Sequence, residues 1–434
     1  MNEVTVGIIG LATALALFLT GIELGFAMAL VGFLGFSFIV STPAALNLLA
    51  KDFFEVFSNY GFTVVPLFIL MGQIAYNAGI AKRLYDAAYK LIGHIPGGLA
   101  MATAAGSTAF GTVTGSCTAT AATFASVAYP EMNRYNYGKS LSTGIIAVGG
   151  TLGSLVPPSV TLIVYGMITE QSIGKLFLAA LIPGLIISLF FIFIIYGMCK
   201  INPSLGPKAE VATWKERMSS LKEVIGVLII FLIVTGGMSK GLFTPTEAGS
   251  AGTFAVLLLS IVKRDISFRG FILSVSESLR TACMTLMLIA GSTILGHFLV
   301  VTKIPIFAAD WIMQLDLPPY IVMVLILLVF ELGGSFIDDL AFMVLAVPIF
   351  YPIVIKLGYD PIWFGIIIHI FVMIGVVIPP VAINVFVVKN ITNIPFSVIY
   401  KGVYPFLLSM ILCAVLLFIF PQITLYLPNA LMLR

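Results

Sequence analysis

The chain has 434 residues, of which 60% are hydrophobic and only 9% charged, against roughly 25% charged in an ordinary soluble domain. With a mean hydropathy of +1.13 and a net charge of +3, it cannot clothe a water-facing surface. This excludes a soluble enzyme, a disordered chain and a nucleic-acid binder, and leaves a polytopic all-α protein whose first partner is the lipid bilayer. Ten-residue units of alternating polarity are absent, which argues against an outer-membrane barrel.

In chain order, full-length spans are expected at residues 4–19, 22–40, 61–79, 174–198, 223–238, 247–262, 282–300 and 401–425, each near the ~20 apolar residues that a bilayer core requires. Four further apolar regions are interrupted. Residues 97–130 break at 111–116, residues 139–169 at 156–159, residues 318–352 at 333–339, and residues 361–388 at 378–381. Ile80–Ile95 carries Leu84, Ala88, Leu91 and Ile95 on one face and charges elsewhere, as a helix lying on the membrane surface would. Ile304–Leu315 is its approximate counterpart. Residues 199–222 form the one long polar stretch and read as a solvated linker. The four cysteines show no metal or redox spacing and read as small buried hydrophobes. His94, His297 and His369 stand isolated in the sequence and read as structural.

The interruptions repeat. A shift of 222 residues carries Gly111 onto Gly333, Tyr129-Pro130 onto Tyr351-Pro352, Gly153 onto Gly375, and Pro157-Pro158 onto Pro379-Pro380. Such a series at constant spacing is an internal repeat. When the first and third broken regions are taken as re-entrant hairpins and the Pro-Pro regions as single crossings, most of the 22 Lys and Arg fall on one face. Only Lys51, Lys175, Lys240, Lys303, Lys356 and Arg434 remain on the other. The basic face is then cytoplasmic, both termini are periplasmic, and an odd number of crossings between the hairpins makes the two repeats inverted. The organisation expected is scaffold helices and an amphipathic arm (1–96), repeat 1 (97–198), a cytoplasmic linker (199–222), further scaffold helices and a second arm (223–317), and repeat 2 (318–425).

Irregular backbone survives within a bilayer only where it is buried or lines a cavity. Inverted repeats with broken helices are the arrangement of a secondary transporter whose ligands bind near the midplane. Hydroxyls crowd the first break. Thr114, Ser116 and Thr118 face Gly153, Val156 and Pro158, where proline leaves carbonyls without helical partners. Thr, Ser and backbone oxygens suit a sodium ion. In the second copy Asp338 takes the place of Ser116, and acids within apolar sequence are functional by default. Asn384 follows the second Pro-Pro and is placed to read a polar group of a substrate. No catalytic residues are expected. Asp338 and Asp339 are adjacent on a helix, so they point about 100° apart and cannot share a proton as protease acids do. A P-loop is absent.

The segments GTVTGSCTATAATFASVAYPEM (111–132), GTLGSLVPPSVTLIVYG (150–166), GLFTPTEAG (241–249), GGSFIDDLAFMVLAVPIF (333–350) and GVVIPPVAINVF (375–386) resemble the large membrane subunit of tripartite ATP-independent periplasmic (TRAP) transporters. The resemblance covers essentially the whole chain. It implies a bacterial inner-membrane symporter that is coupled to sodium, needs no cofactor, and works as an elevator in which a transport domain slides against a scaffold. It implies two partners, a small four-helix membrane subunit and a periplasmic substrate-binding protein that delivers an organic anion such as a C4-dicarboxylate or a sialic acid. Carried over by motif, one sodium lies near Thr114, Ser116, Gly153, Val156 and Pro158. The repeat puts a second near Gly333, Asp338, Gly375, Ile378 and Pro380. Substrate is expected between them, at Thr118, Thr161 and Asn384. Ile383 occupies the repeat position of Thr161, so the two halves cannot bind substrate alike. The repeat by itself also suits a stand-alone sodium/divalent-anion symporter; the motifs favour the tripartite type.

Overall fold

The computed structural model describes residues 2–209, 211–304, 307 and 317–432, and among them every regular element is helical. Most of the expected second arm, Ile304–Leu315, lies outside the described residues. Among the described residues, eight helices are long and apolar enough to cross a membrane, and one bent pair is long enough together to make a ninth.

The chain opens with α1 (Glu3–Leu19), α2 (Leu24–Ile39), α3 (Thr42–Ser58) and α4 (Val64–Asn77). Helix α3 was not expected. Its start is a cap that hydropathy does not register: the Ser41 hydroxyl accepts from the Ala44 N–H at 3.4 Å, and Pro43 sits in the first turn. It buries Ala45, Asp52 and Val56. The surface helix α5 (Ile80–Ile92) stops three residues earlier than expected, because Gly93 and Pro96 end it. Its buried face is also rotated from the expected one. Ile80, Ala81, Leu84, Tyr85 and Ala87 are buried, and the Tyr85 ring meets Phe124 of the first hairpin at 6.5 Å.

Next come the first hairpin, α6 (Gly98–Thr114) and α7 (Cys117–Arg134), then α8 (Lys139–Leu155), α9 (Val160–Ile168) and α10 (Ile173–Ile201). The linker is shorter than expected, since α11 (Trp214–Ser239, with a π-turn at Leu232–Gly236) already starts at Trp214. A capping box explains this, with Thr213 and Glu216 satisfying each other's backbone N–H groups. The Thr-x-x-Glu pattern was in the sequence but was obscured by the surrounding charge. Helices α12 (Pro245–Val262) and α13 (Phe268–Val301) complete the middle segment. Helix α13 begins well before residue 282. It lies against α2 through glycines: a Cβ on Gly291 would stand 2.1 Å from the Gly25 carbonyl oxygen, and one on Gly32 2.7 Å from the Leu295 nitrogen. Small residues permit this close backbone approach. On the side of the basic loops, Arg83 of α5 pairs with Glu223 at 3.2 Å and with Asp265, and Lys263 meets Glu223 at 2.5 Å. These pairs tie α5 to α11 and to the α12–α13 turn.

The second half contains the hairpin α14 (Pro319–Phe336) and α15 (Asp339–Lys356), then α16 (Pro361–Gly375), α17 (Ile383–Thr392), α18 (Phe396–Ile419) and α19 (Gln422–Leu431). The last expected span, 401–425, is cut short at Pro421. Thr114 and Phe336 end the first arms of the two hairpins and Cys117 and Asp339 begin the second arms, at the same offset of 222 residues. The hairpin breaks are narrower than expected: Gly115–Ser116 in one and Ile337–Asp338 in the other. The second arms run on past Pro130 and Pro352, which sit inside them. Helices α8 and α9 meet at a 42° bend, and the Pro157-Pro158 and Pro379-Pro380 bonds are both cis. Helix α8 is buried from Leu141 to Leu155 without interruption. The core therefore sits around the breaks.

Candidate functional site

Each hairpin tip ends against the break of a broken helix. In the first copy the contact is backbone on backbone. A Cβ on Gly153 would stand 2.6 Å from the Ser116 carbonyl oxygen and 2.1 Å from Thr120 Oγ1, and one on Gly115 2.8 Å from the Pro158 carbonyl oxygen. Gly115 also needs its left-handed φ of +63° to turn the chain there. Ser116 caps α7 by accepting from the Ala119 N–H at 3.4 Å, and its hydroxyl lies 3.3 Å from that of Thr118. The Thr114 and Thr120 hydroxyls meet at 3.0 Å, both buried. Across the gap, α8 ends at Leu155 and leaves its last carbonyls without helical partners. Thr114, Ser116, Gly153 and Pro158 are thus brought together, with Val156 at the α8 terminus beside them. Thr120 was missed; a further hydroxyl one helical turn past Ser116 was the available signal.

The second copy is looser. A Cβ on Gly375 would stand 2.7 Å from both Gly334 C and Ser335 N, so this tip too rests on the glycine of its broken helix. The Ser335 carbonyl accepts from the N–H groups of Val381 and Ala382 at 3.1 and 3.2 Å. Gly333 is held against the Phe342 ring. The first break is buried throughout Thr151–Val160, whereas Pro379, Pro380 and Val381 are exposed. Asp338 stands at the N-cap position of α15 and makes no capping bond with its side chain.

Between the copies lies a buried polar cluster. Cys117 and Asp339 occupy equivalent repeat positions and touch each other, Sγ to Oδ2 at 3.5 Å. Thr161 donates to the same carboxylate oxygen at 3.1 Å. His369 Nε2 is 3.1 Å from the Ser154 hydroxyl and 3.8 Å from Asp339. His369 is therefore not the isolated residue its sequence position implied, and Asp339 was the acid left without an assignment. Asn384 is fully buried and donates to the Ala147 carbonyl at 3.1 Å, docking α17 on α8. Its neighbours Ile383 and Val387, not Asn384, face the adjoining cavity.

That cavity has a volume of about 1340 Å³. One wall is formed by the hairpin tips and α9, including Thr114, Ser116, Thr118, Thr161, Gly333, Asp338 and Asp339. The other is formed by the α1–α2 turn and by α4 and α13, including Glu23, Gln73, Tyr76, Glu277 and Arg280. Thr118 and Thr161 line it, while Gly153, Val156, Pro158, Gly375, Ile378 and Pro380 do not. The arrangement offers hydroxyl and carboxylate oxygens and helix N-termini on one wall, and two carboxylates and a guanidinium on the other. It suits hard cations and a small charged solute.

The chain matches the family model described as the tripartite ATP-independent periplasmic transporter, DctM component, over residues 11–423. It belongs to that family. It is 32% identical over 394 residues, covering 90% of this chain and 91% of the relative, to the C4-dicarboxylate TRAP transporter large permease protein of Pseudomonas aeruginosa. It is also 32% identical over 418 residues, 96% of each chain, to the sialic acid TRAP transporter large permease protein of Vibrio cholerae. Among solved structures it is similar in fold to the YdaH transporter of Alcanivorax borkumensis, with a TM-score of 0.57 at 12% identity over 87% of this chain and 89% of that one. The chain is a multi-pass membrane permease of the TRAP type, not an enzyme.

Proposed function

We propose that the chain is the sodium-coupled permease subunit of a TRAP transporter, importing an organic anion, a carboxylate or sulfonate, across the bacterial cytoplasmic membrane. The observation that carries this is the docking of both hairpin turns on the glycine of a broken helix, with the Thr114 and Thr120 hydroxyls meeting at the first. Sodium is assigned to the first tip, at Thr114, Ser116, Gly153, Val156 and Pro158, and to the second, at Gly333, Asp338, Gly375, Ile378 and Pro380. The substrate sits at the cavity wall by Thr118 and Thr161. Asn384 supports that wall from behind.

The transport domain comprises 97–198 and 318–425, and it slides as an elevator against α1–α4 and α11–α13. The basic loops face the cytoplasm and both termini face the periplasm. A small four-helix subunit widens the scaffold, and a periplasmic binding protein delivers the anion. C4-dicarboxylates and sialic acids are the leading substrates because relatives at 32% identity carry those names. In proteoliposomes, uptake should require a sodium gradient, the small subunit and the binding protein together. Uptake by this chain alone would favour a stand-alone symporter, and uptake indifferent to sodium would overturn the coupling.

A further inference from the structure

Helix α13 presents one stripe to the cavity: Glu277, Arg280, Thr281, Met284, Thr285 and Leu288, at the spacings of three and four that share a helix face. Another side of α13 is held on α2 by the Gly25–Gly291 contact, so the stripe stays with the scaffold. Arg280 is the one Lys or Arg among the described residues lining the cavity, where Glu23, Glu277, Asp338 and Asp339 supply four acids. No ion pair occupies it among the described residues. The scaffold residues of this cavity come from the α1–α2 turn, the end of α4 and the first half of α13. All lie toward the basic loops, so the cavity opens to the cytoplasm.

We infer that Arg280 contacts the substrate in this cytoplasm-open state, its guanidinium pairing with the carboxylate or sulfonate of the organic anion. A planar fork of donors matches either group in bidentate fashion, and the hairpin-tip wall offers the anion no cation of its own. Because Arg280 stands on the scaffold, movement of the transport domain carries the tips away from it. The contact therefore serves the cytoplasmic side alone, helping the anion leave the sodium-bearing wall. This rests on the transport function and orientation proposed above.

The test uses the complete complex with its partner subunits in proteoliposomes of determined orientation. Labelled succinate and N-acetylneuraminate are exchanged across the membrane while the concentration is varied on one side at a time. In Arg280→Gln the half-saturation on the cytoplasmic side should rise about tenfold or more, the scale of one charge-assisted hydrogen bond, while the periplasmic side stays within about twofold, less than such a bond would change it. Arg280→Lys should recover part of the loss. Arg269→Gln, at the start of the same helix but away from the cavity, should match the wild type. An unchanged cytoplasmic half-saturation, or an equal rise on both sides, overturns the role of Arg280 while wild-type transport leaves the permease function intact. Failure of the wild type to move either anion, with uncharged solutes moved instead, overturns both. If Arg280→Gln does not assemble, the Lys variant alone decides, since an ammonium without the guanidinium fork should still raise the cytoplasmic value selectively.

Discussion

Gly153→Ala is the substitution that most directly tests whether tip docking builds a sodium site. The added methyl would stand 2.1 Å from Thr120 Oγ1 and 2.6 Å from the Ser116 carbonyl oxygen. Ordinary contact lies near 3.5 Å, so the Ser116 carbonyl must retreat by about 1 Å. Thr120 cannot swing aside freely, because it is fully buried and its hydroxyl meets that of Thr114 at 3.0 Å. Overpacking of this kind costs about 1–3 kcal/mol, and against a two-state docking of the tip that is a shift of about five- to 150-fold. If the Ser116 carbonyl and the α8 terminus are sodium ligands, the sodium half-saturation for uptake should rise by at least about fivefold. The assay is sodium-dependent uptake in proteoliposomes holding the complete complex, with thermal unfolding of the purified chain measured in parallel. Gly197→Ala is the matched control, a glycine of α10 whose added Cβ meets nothing within 4 Å. It should leave transport unchanged and stabilise the helix by about 0.5–1 kcal/mol. Unaltered sodium dependence in Gly153→Ala, with a folded chain, would refute the docking model of the site.

Five further substitutions follow from the geometry. Ser116→Ala and Asp338→Ala should each weaken sodium dependence, the second more strongly because it removes a charge; equal sodium half-saturation in both variants and the wild type would remove these residues from the site. Asp339→Asn should lower stability by about 1–3 kcal/mol, since a buried carboxylate accepting from Thr161 and Cys117 loses charge-assisted bonds. Thr161→Val should do likewise, and the double variant should fall short of the sum; strict additivity in thermal unfolding would mean the two do not act together. Thr244→Ala breaks the capping box with Glu247 at the start of α12, and should cost about 1 kcal/mol, visible as a small fall in melting temperature with sodium dependence unchanged.

Much of this was legible because bilayer physics restricts the alternatives. Runs of apolar residues had to be helices, and glycine and proline within them had to mark breaks, so the four broken regions and their spacing could be read from residue type alone. Helix ends were less legible. Helix α3 and the early start of α11 depend on caps, Ser41 to Ala44 and Thr213 with Glu216, and an average of hydropathy contains no information about a single hydrogen bond. The tips were located to within a few residues, yet Thr120 was overlooked because its importance comes from facing Gly153 across the tip. The structure places Asn384 behind the cavity wall, its amide bonded to the Ala147 carbonyl. A polar residue after Pro-Pro resembles a ligand in one dimension, but the turn at Ala382, with its φ of +52°, directs Ile383 to the cavity and Asn384 to α8.

The contact between Cys117 and Asp339 shows where the repeat stops being symmetric. The two residues stand at equivalent positions of the 222-residue sequence repeat. There the second copy has acids, Asp338 and Asp339, where the first has Ser116 and Cys117. The first tip is sealed and neutral, with its break buried from Thr151 to Val160; the second carries the charge and exposes Pro379 and Pro380. Asp339 is satisfied by Thr161 from the first copy, which joins the halves into one body. Asp338 makes no such capping bond and faces the cavity. A carboxylate in that setting is costly unless a cation accompanies it. Two sodium sites built on this frame would therefore differ: the first relies on neutral oxygens already in position, while the second gains its affinity from a charge that the ion itself must neutralise. On the proposed coupling, an ion lost from the second tip would leave the Asp338 carboxylate without a countercharge, which would oppose movement of the transport domain until a cation returned.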